Sequence, residues 1–351
     1  MATLVSSLRN QARHCANLGS PLYASLLTRI ADNSTWGGVL TKVIPPNSSD
    51  SDAAPLRLLG AVHALVLTGR APQLERYYPS VGGSFSPEQE DDAAAAFIDA
   101  VSSNPDWIAD WLTRPPQTNE VGRAALLLTG LRRALSSHPL PVRLFEIGAS
   151  AGLNLLADQF RWVAEGTSFG PPDSPVVLDN AWRGDMPQWL LNSESLVIVD
   201  RQGCDLTPID PTSTDGALKL RAYVWPDQGR RFERLQGALT LTKSIPTTVK
   251  PIGAGDFLRG IQLEYGTLTV VWHSVMQQYV PAAEWAQVEA ELDRLARAAT
   301  PNAPFVYLKF EPEQNTGVNT IFRLWYKDGT APAQVLAEAL PHGLPAWTPE
   351  S

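Results

Sequence analysis

Chemistry-bearing residue types are scarce in this 351-residue chain, and each scarcity excludes something. There are two cysteines, Cys15 and Cys204, far apart and neither in a CxxC pair, so neither a disulfide framework nor a zinc knuckle is indicated. The five histidines are isolated, with no HxxxH and no paired-carboxylate spacing, so no metal site is expected. Lys and Arg number 28 against 36 Asp and Glu, giving a formal charge of -8, and no basic run could track a phosphate backbone. Nucleic acid is therefore a poor partner. No stretch approaches the ~18 uncharged apolar residues of a membrane span, and MATLVSSLRNQARHC lacks the basic start and apolar core of a secretion signal. The expectation is a soluble, cytoplasmic protein with a small-molecule substrate and no membrane partner; oligomeric state leaves no signature. No repeat or low-complexity block is present.

What is there is a hydrophobic content of 44%, enough for a substantial core in one large domain or two modest ones. From Leu4 to about Ser137 apolar residues recur at helical spacing, as in PLRLLGAVHALVL and EVGRAALLLTGLRRAL. Ser86-Pro87-Glu88 offers a helix cap with Pro at the first helical position, and Pro45 to Asp52 reads as a polar surface loop. After Pro139 short apolar runs alternate with helical ones, the pattern of βαβ units. Strands are expected at Arg143 to Ile147, Ser195 to Val199, Thr248 to Ile252, Thr267 to Trp272 and Phe305 to Phe310. Helices are expected at Leu153 to Val163, Arg230 to Thr242, Phe257 to Leu263 and Ala282 to Ala299. The expected fold is α/β: a Rossmann-like, mostly parallel sheet flanked by helices over 139–351, with an insertion around 165–227, preceded by an all-helical lid or substrate domain over 1–138.

The first expected strand runs into Gly148-Ala149-Ser150-Ala151-Gly152, placing glycines where an α/β sheet binds ligands. Glycines let a ligand approach the backbone, a following helix would offer free N–H groups to an anionic group, and Glu146 ends the strand, with Asn154 just beyond the loop. The loop lacks the GxGxxG of dinucleotide sites, which favours an amino-acid-like cofactor end over a pyrophosphate. The same five residues also satisfy GxSxG, the nucleophile elbow of α/β-hydrolases, and Ser150, Asp256, then His273 or His342 follow the chain order of that triad. Against it, the 140 preceding residues look helical and hold no HGG-like oxyanion stretch. A merely structural turn is the third reading.

The ExGxxxG loop after a first strand resembles motif I of class I S-adenosylmethionine-dependent methyltransferases. Beyond it, YYPSVGG at Tyr77, QTNEVGR at Gln117, EIGASAGLNLLAD at Glu146, VWPDQ at Val224, VVWHSVMQQYV at Val270 and HG at His342 resemble one uncharacterised family, domain of unknown function 2332. That resemblance covers most of the chain and implies a fold and a set of positions, with no activity to carry over. The methyltransferase resemblance implies S-adenosylmethionine held by Glu146, Gly148, Ser150, Gly152 and Asn154. It also implies Asp256 beside the adenine amino group, with Phe257 against the ring, although Asp256 equally suits a helix N-cap.

Asp200, ending SLVIVD, is the candidate for the ribose hydroxyls, with Asp205 close behind; a plain turn is the alternative. His273, at the end of the fourth strand, is the candidate general base, or only an orienter, with Gln277 and Tyr279 on the same wall. Asn119, Glu120 and Arg123 could reach over the loop as a lid, Arg123 pairing with a carboxylate, and Tyr77 and Tyr78 could help close the pocket; a capping box would explain the first of these without any function. The leading expectation is a methyltransferase, or methyltransferase-like protein, acting on a small molecule. The alternatives are a catalytically silent Rossmann-like binding protein and a serine hydrolase with Ser150 as nucleophile.

Overall fold

A computed structural model describes residues 2–44, 53–191, 195–313 and 321–349. The polar loop expected at Pro45 to Asp52 lies outside them. The chain divides into two compact units, Met1–Thr118 with Ser213–Glu233, and Asn119–Thr212 with Arg234–Ser351.

The described residues of the first unit form helices and turns: α1 (Ala2–Asn17), α2 (Pro21–Asp32), α3 (Ser34–Val43), α4 (Ala54–Leu67), α5 (Pro72–Glu75), α6 (Glu90–Ser103) and α7 (Pro105–Leu112). Boundaries follow the local chemistry. Asn33 accepts from the amides of Thr35 and Trp36 to start α3, and the Ser86 amide donates to Gln89 Oε1 in the turn that leads into α6. α4 is buried around nearly its whole circumference, as suits a central helix. Gly60 lets Tyr223 lie against it, since a Cβ there would stand 2.7 Å from the tyrosine ring.

In the second unit, α8 (Ala124–Leu135) precedes β1 (Val142–Ile147), followed by β2 (Arg161–Ala164), β3 (Thr167–Phe169), β4 (Val177–Leu178), α9 (Gln188–Leu191) and β5 (Ile198–Asp205). After α10 (Thr214–Ala222), which belongs to the first unit, come α11 (Gly229–Leu241), β6 (Thr248–Pro251), α12 (Ala254–Arg259), β7 (Leu268–Ser274), α13 (Ala282–Ala298), β8 (Phe305–Glu313), β9 (Ile321–Asp328), β10 (Gln334–Ala339) and β11 (Ala346–Trp347). The fold is α/β, with an eight-stranded sheet in the order β11-β10-β9-β8-β7-β1-β5-β6. Pairing is parallel from β6 to β8 and antiparallel from β8 to β11. β1 is buried at every position and β7 at all but the last, the continuous burial of a strand covered on both faces. α12 and α13 cover one face through Phe145, Phe257, Val271, Leu292 and Phe305. α8 packs on β8 and β9, with Gly130 against Leu308.

Several expectations need correction. The units do not divide at 138: α8 packs on the sheet, and residues 213–233 return to the helical unit. The expected helix at Leu153 to Val163 is a 3-10 turn, Leu153–Gln159, that leads into β2. Arg201 donates to the Leu155 carbonyl and grips Asp158 at 2.7 Å, and Leu153 to Ala157 are all buried, leaving no polar face for an amphipathic helix. The region 165–227 is not one insertion. It holds part of a small sheet, β3-β2-β4, then main-sheet strand β5 and helix α10. The strand expected at Ser195 to Val199 lies further on, at Ile198–Asp205. β9, β10 and β11 were not anticipated.

Candidate functional site

The glycine loop leaves β1 in the middle of the sheet, between β5 and β7. Chain connections depart to opposite sides from this point, the place at the carboxyl ends of the strands where open α/β sheets characteristically bind ligands. Gly148 (φ 68), Ser150 (φ 53) and Gly152 (φ 70) are all left-handed. Glycine is required at Gly152, because a Cβ there would stand 2.7 Å from Val249 Cγ2.

The loop's amides are largely taken up by the protein. Ala149 N donates to the Cys204 carbonyl, Ser150 N to Asp205 Oδ2, and Leu153 N to Asn119 Oδ1 at 2.9 Å. These amides are therefore not among the free N–H groups expected to meet an anion. Instead the site has buried side-chain oxygens without partners. Glu146 is 2% exposed; its Oε1 accepts from Trp272 Nε1 at 3.2 Å, and its Oε2 has no partner. Asn154 donates to the Glu120 carbonyl, while its Oδ1 is unpartnered, as is the buried Ser150 Oγ. Burial pushes the Glu146 carboxyl up to about 8, against the lowering effects of Trp272, Asn154 and Arg123. Buried polar groups left unsatisfied cost about 1–3 kcal/mol each, and three such oxygens cluster around this one loop.

Asn119, Glu120 and Arg123 are brought to this loop. Glu120 Oε1 accepts from Gly122 N, and Arg123 Nε donates to the Pro341 carbonyl. Gly343 (φ 85) seats its backbone on Arg123, where a Cβ would be 2.6 Å from Arg123 Cα, so the QTNEVGR and HG phrases meet backbone to backbone.

Other expected residues lie elsewhere. Asp200 pairs in register with Arg143, whereas Cys204 pairs with Ile147; Asp200 therefore sits at the far end of the strand from the loop, where it binds Arg143 and Gln202. The acid at the loop end is Asp205, which also accepts from Thr207 N. Asp256 follows β6 but is 66% exposed and paired with Arg259 at 2.6 Å, and Phe257 is buried edge-on to Phe145 as part of the core. Tyr77 and Tyr78 are buried in the core of the helical unit.

His273 ends β7 but is fully buried. Its Nδ1 lies 2.8 Å from Glu311 Oε1 and its Nε2 2.6 Å from Tyr307 Oη, so neither nitrogen is left for a substrate. Burial alone would raise the Glu311 carboxyl, but His273 and the amides of Met276 and Gln277 outweigh it and hold it below its ordinary value. Gln277 and Tyr279 occupy the turn just beyond, Tyr279 being 77% exposed. Sequence reading passed over Glu311 and Met276. The one available signal was an acid following the apolar and half-buried residues of the β8 run.

No described helix is long and apolar enough to cross a membrane. Neither the comparison with curated proteins nor the one with solved structures found a match. The model of a family described as "Uncharacterized protein conserved in bacteria (DUF2332)" matches residues 5–347, and the chain belongs to that family.

Proposed function

We propose that the glycine loop binds S-adenosylmethionine and that the protein is a methyltransferase-like enzyme acting on a small molecule. The observation that carries this reading is the set of unpartnered buried oxygens, Glu146 Oε2, Asn154 Oδ1 and Ser150 Oγ, gathered at a glycine loop on the central strand of the parallel part of the sheet. The parallel part of the sheet supports it. Its order, β6-β5-β1-β7-β8, is the 3-2-1-4-5 succession of Rossmann-like sheets, extended here by an antiparallel meander. When bound, the cofactor supplies a methyl group on an electrophilic sulfonium. Glu146, buried and lacking one donor, is suited to an ammonium, with Asn154 Oδ1 beside it. Asp205 fixes the loop through Ser150 N, and Asn119 does so through Leu153 N. Such a site works by alignment and exclusion of water.

One observation favours a second reading, ligand binding without turnover: His273, the candidate base, has both ring nitrogens engaged. The hydrolase reading loses ground, because Ser150 Oγ has no hydrogen-bond partner and its strand is the first of the chain in this sheet. Calorimetry with S-adenosylmethionine and S-adenosylhomocysteine tests the site. Micromolar binding, weakened at least tenfold in Glu146→Gln, is expected. Absence of binding to either compound, or labelling of Ser150 by a fluorophosphonate, would overturn the proposal, and binding without methyl transfer to any of a panel of small acceptors would favour the second reading.

A further inference from the structure

The segment that leaves β7 is held in an unusual way. Val275 has φ 52, a left-handed conformation that a β-branched residue adopts only when its surroundings over-determine it. Two interactions do so. Val275 N donates to the Phe310 carbonyl at 2.9 Å, and Glu311 Oε1, on a side chain 7% exposed, gathers His273 Nδ1 together with Met276 N at 2.9 Å and Gln277 N at 3.2 Å. Tyr307 Oη against His273 Nε2 completes the chain of contacts. The consequence is the position of Met276. A Cβ built on Gly148 would meet the Met276 side chain at Cβ 3.0, Cγ 3.0 and Cε 3.1 Å. Met276 therefore roofs the first glycine of the loop.

We propose that Met276 is the specificity-determining residue of the glycine-loop site and that Glu311 is the residue that positions it; the proposal rests on reading that loop as a cofactor site. A ligand arm lying on Gly148 shares its space with the Met276 side chain. Methionine is unbranched, flexible and polarizable, so it yields to a slim aliphatic arm carrying sulfur and packs against it. The ligand class it favours is an adenosyl amino acid, entered by its thioether or sulfonium arm, over a bare nucleoside. Glu311 acts at one remove: without its carboxylate, the amides of Met276 and Gln277 lose a charged acceptor and Val275 keeps only one of the two restraints that hold it left-handed.

Two readouts test this. Hydrogen exchange of the Met276 and Gln277 amides needs no ligand, and is expected to rise at least tenfold in Glu311→Gln while the amides of β1 stay protected. Unchanged exchange there would overturn the positioning role. Calorimetry with S-adenosylhomocysteine and adenosine is expected to show Met276→Trp weakening the former at least tenfold and the latter by less than twofold, with Glu311→Gln weakening the former as well. Equal loss of both ligands in Met276→Trp, or no loss of either, overturns the specificity role. If the unaltered protein binds neither compound, the cofactor reading itself fails and the specificity role falls with it, while hydrogen exchange still decides the positioning role.

Discussion

A buried histidine of the helical unit and a buried glutamate of the sheet unit are accommodated in opposite ways. In the helical unit His63 is fully buried, Nδ1 3.1 Å from the Ala222 carbonyl and Nε2 2.8 Å from Ser80 Oγ, and burial lowers it to about 4. Both nitrogens are used, and the group sits as a neutral packing element between α4 and the segment that returns at 213–233. In the sheet unit Glu146 is buried with one oxygen unused and is raised to about 8. A satisfied buried group belongs to the architecture, whereas an unsatisfied one on a central strand end points to an occupant.

That contrast carries opposite pH signatures. The largest effect belongs to Glu146. Its carboxyl binds a proton more tightly folded than unfolded, so its contribution is intact below its ordinary value of 4.5 and is lost as pH rises toward about 8. The full loss is about 5 kcal/mol, reached above pH 8. Glu146→Gln is expected to be more stable than the unaltered protein at pH 9 by an amount of that order and nearly equal to it at pH 5, measured by urea unfolding at both. Equal pH profiles would break the comparison. His63 runs the other way: the unfolded chain takes the proton first, so stability is intact above its ordinary 6.5 and falls toward pH 4 by about 3 kcal/mol. His63→Gln should flatten that acid decline; a decline of unchanged size would assign it to other groups.

The VWPDQ phrase, met in the sequence only as part of the family resemblance, sharpens the comparison. Asp227 accepts from Ser20 Oγ at 2.7 Å and Leu22 N at 2.9 Å at the start of α2, and Gln228 donates to the Leu18 carbonyl at the end of α1. One dipeptide thus caps two consecutive helices from more than 200 residues away. Asp227→Ala is expected to cost about 1–2 kcal/mol, read as a lower urea midpoint with an unchanged slope. A loss below a few tenths would mean that Ser20 caps α2 unaided.

What was legible in the sequence was whatever depends on local pattern. The β1 run, the strands near Thr248, Thr267 and Phe305, α11 and α13 announce themselves by period, and the glycine loop by its place after a buried strand. What stayed hidden depends on partners distant in sequence. SLVIVD ends in an acid and looks like a strand end, yet pairing against β1 starts the strand at Ile198 and carries it on to Asp205. LNLLADQF has helical composition, but Arg201 takes one of its carbonyls. His273 has the right address for a base, and only the fold reveals Glu311 and Tyr307 on its two nitrogens. Periodicity cannot report which side chain fills a hydrogen bond.

The smallest effect expected is at Val275, where stability and function are set against each other. Its left-handed backbone costs about 1–2 kcal/mol for a residue with a Cβ, and glycine returns about 0.5–1 kcal/mol of that as added freedom in the unfolded chain. Val275→Gly should therefore stabilise the sheet unit by less than about 1 kcal/mol, visible as a small rise in urea midpoint. If the strain only tolerates a tight exit from β7, ligand affinity stays the same. If it holds Met276 against Gly148, the relaxed variant gains stability and loses affinity for S-adenosylhomocysteine together. A variant that is both less stable and unchanged in binding would mean that Val275 contributes packing the left-handed backbone does not outweigh, and the strain would then carry no function.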